Sequence, residues 1–123
     1  MTFQEKFDEL KRIYGETADF SAAPAGLAAQ IRMTDEDCGG TFYVAYFGGT
    51  GAIEPYDYRD HTVDIAIGSA LLEALLDGKK DPVEAYLNGE FQLDGDASHA
   101  QALIEALKRR PKKRRAAKKK AED

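Results

Sequence analysis

The residues able to do chemistry are few, and none is placed to do it. Asp60-His61, with Asp64 three residues on, has the look of an imidazole oriented by an acid, the pairing a general base needs. A base of that kind activates a Ser or Cys held beside it, and no motif supplies one, since Ser69 falls where a helix cap belongs. His61 is therefore expected in a polar surface loop, and His99, in the first turn of a C-terminal helix, is expected to face solvent. Asp35-Glu36-Asp37-Cys38 gathers three acids and the single cysteine, but it lacks the alternating ligands and distant Glu of a calcium loop. It reads as a hairpin loop with a bland thiol, and no metal site is expected. Gly48-Gly49-Thr50-Gly51 has neither the Lys nor the following helix of a phosphate loop, so it reads as a turn. Asp57, Asp60 and Asp64 are too scattered for a carboxylate pair. Catalysis and cofactor chemistry have no carrier here, and a non-enzymatic role is expected.

The elements that would position any site are easier to read. Thr2 to Tyr14 is an amphipathic helix opened by a T-x-x-E capping box, with Phe3, Phe7, Leu10, Ile13 and Tyr14 on one stripe and Gly15 at its end. After a loop over 16–24, the alternation of Gly26 to Thr34 predicts a strand with Leu27, Ala29, Ile31 and Met33 inward. Thr41 to Phe47 is a strand apolar on both faces, one carrying Phe42, Val44 and Tyr46, the other Tyr43, Ala45 and Phe47. Helices on one side only would leave the second face to loops, another chain or a ligand. Ala52 to Tyr56 is a third strand, where Pro55 favours an edge or an end, and Val63 to Ile67 a fourth. A Ser69-capped helix carries Leu71, Leu72, Leu75 and Leu76. From Gly78 to Asp96 the punctuation is dense: Gly78 stops a helix, Asp81-Pro82 with Glu84 starts a short one, and Asn88-Gly89 stops it. Glu90 to Asp94 then alternates, with Phe91 and Leu93 on one side. A last helix runs from about Ala97, with a S-x-x-Q cap at Ser98 and Gln101, and Ala100, Leu103, Ile104 and Leu107 inward, to about Pro111. The result is a single α+β domain of order α-β-β-β-β-α-α-β-α, with a mostly antiparallel sheet and helices on one face.

This punctuation resembles the C-terminal half of the sterol carrier protein 2 (SCP2) family: a helix, Gly-x-x-Asp-Pro, a short helix, an alternating strand opened by Gly and closed by Gly-Asp, and a last helix. The matching residues are Gly78, Asp81, Pro82, Ala85, Gly89, Phe91, Leu93, Gly95 and Asp96. Gly40-Thr41-Phe42 with Val44 and Tyr46 is similar to the family's strand that follows a glycine, with Phe42 where the family often has Trp, and Val63 to Ile67 resembles its Asp-containing strand. The likeness runs from about residue 3 to about residue 107. It implies a five-stranded sheet layered with helices around an apolar cavity, and a role in binding or transferring sterols, fatty acids, acyl-CoA or phospholipids. A docking module attached to a larger enzyme is the alternative it leaves open.

Periodicity places Phe3, Phe7, Phe42, Tyr46, Leu72, Leu76, Tyr86, Phe91, Leu103 and Leu107 toward the space between helices and sheet, with Val44, Ile65 and Ile67 on the same sheet face. These residues either fill an ordinary core or, as the resemblance implies, line a lipid site. An empty void of some 300 Å³ would cost on the order of 7 kcal/mol, comparable with the whole stability of a domain. A guest chain returns roughly 0.8 kcal/mol per buried CH₂, so occupancy should stabilise the fold. The last helix, held by packing alone, is the expected gate.

The chain of 123 residues carries a net charge of -5, which hides a polar split. From Lys108 to Asp123 there are ten Lys or Arg against Glu122 and Asp123, a balance of +8, while the preceding residues hold seven basic and twenty acidic side chains, or -13. We expect a lipid-binding domain over 1–110 and a basic, disordered tail over 111–123. Lys108 to Lys120 would suit an anionic membrane surface. Nucleic acid is the weaker alternative, since the tail has no aromatic residue for stacking. An acidic start, no run of about 18 apolar residues, a lone cysteine and an Ala-Glu-Asp end unlike a peroxisomal signal together predict a cytoplasmic protein.

Overall fold

A computed structural model describes residues 1–109. The capping box forms as read: Thr2 Oγ1 accepts from the Glu5 N–H at 3.2 Å, and Glu5 Oε1 accepts from the Thr2 N–H at 2.8 Å. Helix α1 spans Phe3–Leu10 and then widens into a π-helical turn, Lys11–Gly15. Strands β1 (Leu27–Met33), β2 (Gly40–Phe47) and β3 (Thr50–Glu54) follow as an antiparallel meander. Strand β4 (Val63–Ile67) returns to pair in parallel with β1, and β5 (Gln92–Gly95) adds antiparallel to β4. The five-stranded sheet has the order β3-β2-β1-β4-β5, mixed but mostly antiparallel, with the element order expected from sequence. Helices α2 (Ser69–Leu76), α3 (Pro82–Leu87) and α4 (Ala97–Leu107) complete the layer.

The glycine punctuation has a common geometry. Gly78 and Gly89, at φ 75 and 72°, each close a helix with a paired backbone motif. Lys79 N–H reaches Ala74 O at 2.9 Å and Gly78 N–H reaches Leu75 O at 3.2 Å, while Glu90 and Gly89 make the same bonds to Ala85 and Tyr86. Four sequence expectations are corrected. The third strand ends at Glu54, so Pro55 stands outside it. Asp81 and Pro82 occupy the expected cap and first helical positions, but the Asp81 side chain makes no cap bond. The last helix is capped by Asp96, which accepts from the Ser98 and His99 N–H groups, rather than by Ser98.

The fourth correction concerns Ser69, which is the first residue of α2 and not its cap. Asp35, from the β1–β2 loop, supplies the acceptor instead: Oδ1 takes the Ser69 N–H at 2.8 Å and Oδ2 takes its hydroxyl at 2.9 Å. A carboxylate gains more from a helix N-terminus than a serine hydroxyl does. Burial pushes the Asp35 carboxyl up, but the bonds from Ser69 outweigh it and leave the group below the usual carboxylate range. Asp35→Ala is expected to cost about 1 to 3 kcal/mol, from a lost cap and a buried hydroxyl left short of an acceptor. Because the folded-state value is depressed, this contribution is present above about pH 4 and fades as pH falls through the folded value. Urea melts of wild type and variant should therefore differ at neutral pH and converge in acid; parallel curves would refute the assignment.

The sheet's second face meets a loop, one of the options its apolar pattern left open. Tyr58 lies on Tyr43, ring centroids 5.0 Å apart, and near Phe47 at 6.3 Å, while its N–H donates to Gln30 Oε1 at 2.9 Å. Ala28 and Ala45 on this face are buried. Arg32 and Asp64 pair beside them at 3.0 Å.

Candidate functional site

The space between helices and sheet is walled by α1 and the π turn (Phe7, Leu10, Lys11, Tyr14, Gly15), the strands (Ile31, Phe42, Ile53) and the upper helices (Leu72, Leu76, Leu103, Ile104, Leu107). It encloses a cavity of about 20 Å³, room for one water and far short of a lipid. Phe7 and Phe42 meet across it, centroids 5.4 Å apart and tilted by 59°. Tyr14, only 2% exposed, turns its hydroxyl outward to donate to Asp77 Oδ1 at 2.9 Å. Burial, then the bond to Asp77, raises the Tyr14 hydroxyl well above the usual phenol range. Lys6 joins α1 to α2 by pairing with Glu73 at 2.7 Å and with Glu9 at 2.9 Å.

The residues expected here fall in four places. Phe7, Phe42, Leu72, Leu76, Leu103 and Leu107 line the cavity. Val44, Ile65, Ile67 and Phe91 belong to the same contiguous core without reaching it, and Phe3 packs on that core from the side. Tyr46 is half-buried on the outer part of β2, stacked on Phe20 at 5.4 Å with ring planes 5° apart. Tyr86 is elsewhere: it is 46% exposed on α3, tilted against Phe91, because Ala85 takes the inward position of that helix. Ile53 had no place in the expected lining, because a strand read from Ala52 to Tyr56 hides its neighbourhood beneath the π turn.

The chemical candidates are occupied by structural bonds. His61 Nδ1 lies 2.7 Å from Tyr58 O in the β3–β4 loop. His99 does not face solvent as expected: its side chain is 16% exposed and Nδ1 lies 2.7 Å from Thr62 Oγ1. That contact joins α4 to the approach to β4. Asp35, Asp37 and Cys38 bring ligand atoms within 4.8 Å of one another, but both Asp35 oxygens serve Ser69. Cys38 is buried in the β1–β2 loop, with Sγ 3.7 Å from Ser69 Oγ.

Helix α4 is also not held by packing alone, contrary to expectation. The Asp19 N–H donates to Ala106 O at 2.9 Å, and the Arg109 N–H donates to Leu76 O at 2.7 Å. Arg109 Nη1 adds a 3.6 Å contact to Asp77 Oδ1. The helix is tied at its start through Asp96 and His99 and at its end through Ala106 and Arg109. Of the basic segment only Lys108 and Arg109 are described; the rest of the expected tail lies outside the described residues. Among the described residues no helix is long and apolar enough to cross a membrane.

Fold and site together define an α+β domain whose helices close an apolar slot against a five-stranded sheet. A model of the SCP-2 sterol transfer family matches residues 4–108, and the chain belongs to that family. Among curated proteins none matches the sequence. Solved structures share the fold. Sterol carrier protein 2-like 2 of Aedes aegypti superposes with a TM-score of 0.61 at 17% identity, covering 83% of this chain and 96% of that one. Its palmitated form in solution gives 0.60 at 16% identity, covering 87% and 95%. The stereoselective inverting sec-alkylsulfatase Pisa1 from Pseudomonas sp. gives 0.65 at 17% identity over 81% of this chain. The present chain spans 16% of the length of that sulfatase.

Proposed function

We propose that this domain binds a lipid or similar apolar molecule without transforming it, by admitting it between the helical layer and the sheet. The observation that carries the reading is the apolar slot itself, whose lining has aliphatic and aromatic side chains from α1, α2, α4 and three strands and one charged residue, Lys11. Membership of a sterol transfer family and likeness to a palmitated carrier support it. A cavity of about 20 Å³ means that entry must displace the helices from the sheet. Roughly 0.8 kcal/mol per buried CH₂ offsets that displacement, so a long chain can drive opening that a short one cannot. Sterol, fatty acyl chain, acyl-CoA and phospholipid all meet this requirement through their apolar parts. The non-catalytic reading is supported by the histidines, which serve structural contacts.

Native mass spectrometry of the purified protein, followed by organic extraction, tests this directly. A co-purified lipid, or a melting temperature that climbs with palmitate or cholesterol, is the expected result. A protein that is ligand-free and indifferent to both would end the proposal. A protein-docking role is favoured by one feature, the exposed apolar residues Val83 and Leu87 of α3, which are 50% and 76% exposed. The excess of Lys and Arg from Lys108 to Lys120 supports attraction to anionic lipid surfaces, each residue contributing about 1 kcal/mol near such a surface.

A further inference from the structure

The interior and the surface meet along a seam. The slot under the helices and a surface groove of about 310 Å³ share Lys11, Gly15 and Ile53, and the groove continues past Glu16, Phe20 and Glu54. On one side of the seam is the π-helical turn, where the helical ladder is wound more loosely, a feature that recurs at functional sites. On the other is β3, an edge strand whose one sheet neighbour among the described residues is β2. Between the two spaces the chain is at its thinnest at Gly15, which has no side chain and meets the ends of Ile53 and Lys11. A Cβ there would come 3.1 Å from Ile53 Cδ1 and 3.3 Å from Lys11 Cγ. The alternative exit under α4 is fastened by backbone bonds from Asp19 and Arg109.

We propose that this seam is the portal and outer half of the lipid site, and that it takes a single-chain amphiphile. The chain threads inward between Gly15 and Ile53, and the polar head stays in the groove beside Lys11, Glu16 and Glu54. The inference rests on the reading that the interior admits a lipid. One chain is favoured over a fused ring system because the passage narrows between flexible side-chain ends, which can swing aside for an alkyl chain, while a rigid ring would force β3 from the π turn. Lys11 spans both spaces, with its ammonium 6.0 Å from the Phe7 ring centroid, so a head group meets both charge signs in the groove and the chain meets carbon beyond it.

The test uses the full chain and stearate carrying a nitroxide either next to the carboxylate or near the methyl end, with paramagnetic broadening of backbone amide signals as the readout. The carboxylate-end label should broaden Gly15, Glu16 and Gly51, and the methyl-end label Ile31, Leu72 and Leu103. Gly15→Leu should slow uptake and release about tenfold, with Ile53→Trp as the second variant should the first fail to fold. Broadening by the carboxylate-end label at Ala97 to Gln101 instead, or unchanged rates in a folded Gly15→Leu protein, would overturn the portal while leaving lipid binding intact. No broadening by either label would withdraw the lipid reading and the portal with it.

Discussion

Leu103→Ala is expected to lower the unfolding free energy by about 2 to 5 kcal/mol and, in the same protein, to enlarge the gain from added lipid. Leu103 is 1% exposed and lines the slot from α4, so truncation leaves a void in a layer that now holds about 20 Å³ of free space. An ordinary core has no remedy for that loss. A lipid slot does: part of the cost of parting helices from sheet has already been met in the variant, so ligand binds more tightly and contributes more. At a free ligand concentration a hundredfold above Kd the linkage contribution is about 2.7 kcal/mol, and each further tenfold in affinity adds about 1.4 kcal/mol. Thermal melts of both proteins with and without palmitate provide the check. Equal shifts in the two proteins would argue that the layer is a filled core.

Tyr14→Ala should cost about 3 to 5 kcal/mol, the range for deleting a large buried ring. The ring closes the slot from within the π turn, and its hydroxyl fixes Asp77, which also meets Arg109. Tyr14→Phe separates the two roles and should cost about 1 to 3 kcal/mol, because Asp77 loses its donor. The pH dependence is distinctive. A hydroxyl raised in the folded state contributes its stability fully below the unfolded phenol value of about 10 and loses it as pH climbs toward the folded value. The gap between wild type and Tyr14→Phe in urea melts should therefore be constant at neutral pH and narrow above about pH 10. A gap that stays constant to pH 11 would show that the hydroxyl plays no such part.

Much of this architecture could be read from residue types because its signals are local. Thr2 with Glu5, Gly78 with the helix before it, and the alternation of Val63 to Ile67 each specify geometry within a few positions. What escaped was set by partners distant in sequence. Ser69 has the residue type of a cap, but Asp35, folded across from another loop, accepts both its N–H and its hydroxyl and leaves it as the first residue of the helix. His99 looked exposed because Thr62 lies far from it along the chain. Tyr86 was misplaced because a six-residue helix is too short for its period to tell one face from the next, and the small Ala85 took the buried side. The six expected residues that face the slot came from stripes on elements of at least seven residues. Its size depends on how closely side chains from separate elements approach, as Phe7 and Phe42 do at 5.4 Å, which no pattern of apolar letters encodes. The π turn and Ile53 were missed together, since the extra residue in that turn carries no mark of its own in the sequence.

Opening a greasy layer invites self-association, and the ends of the sheet bear on that hazard. Strand β3 is five residues long and is followed at once by Pro55, which has no N–H to offer a neighbouring molecule. Strand β5 is four residues long, carries Asp94, and finishes at Gly95. Neither rim presents a long apolar template for another chain to extend, so a molecule with that layer parted is poorly suited to nucleating ordered aggregates.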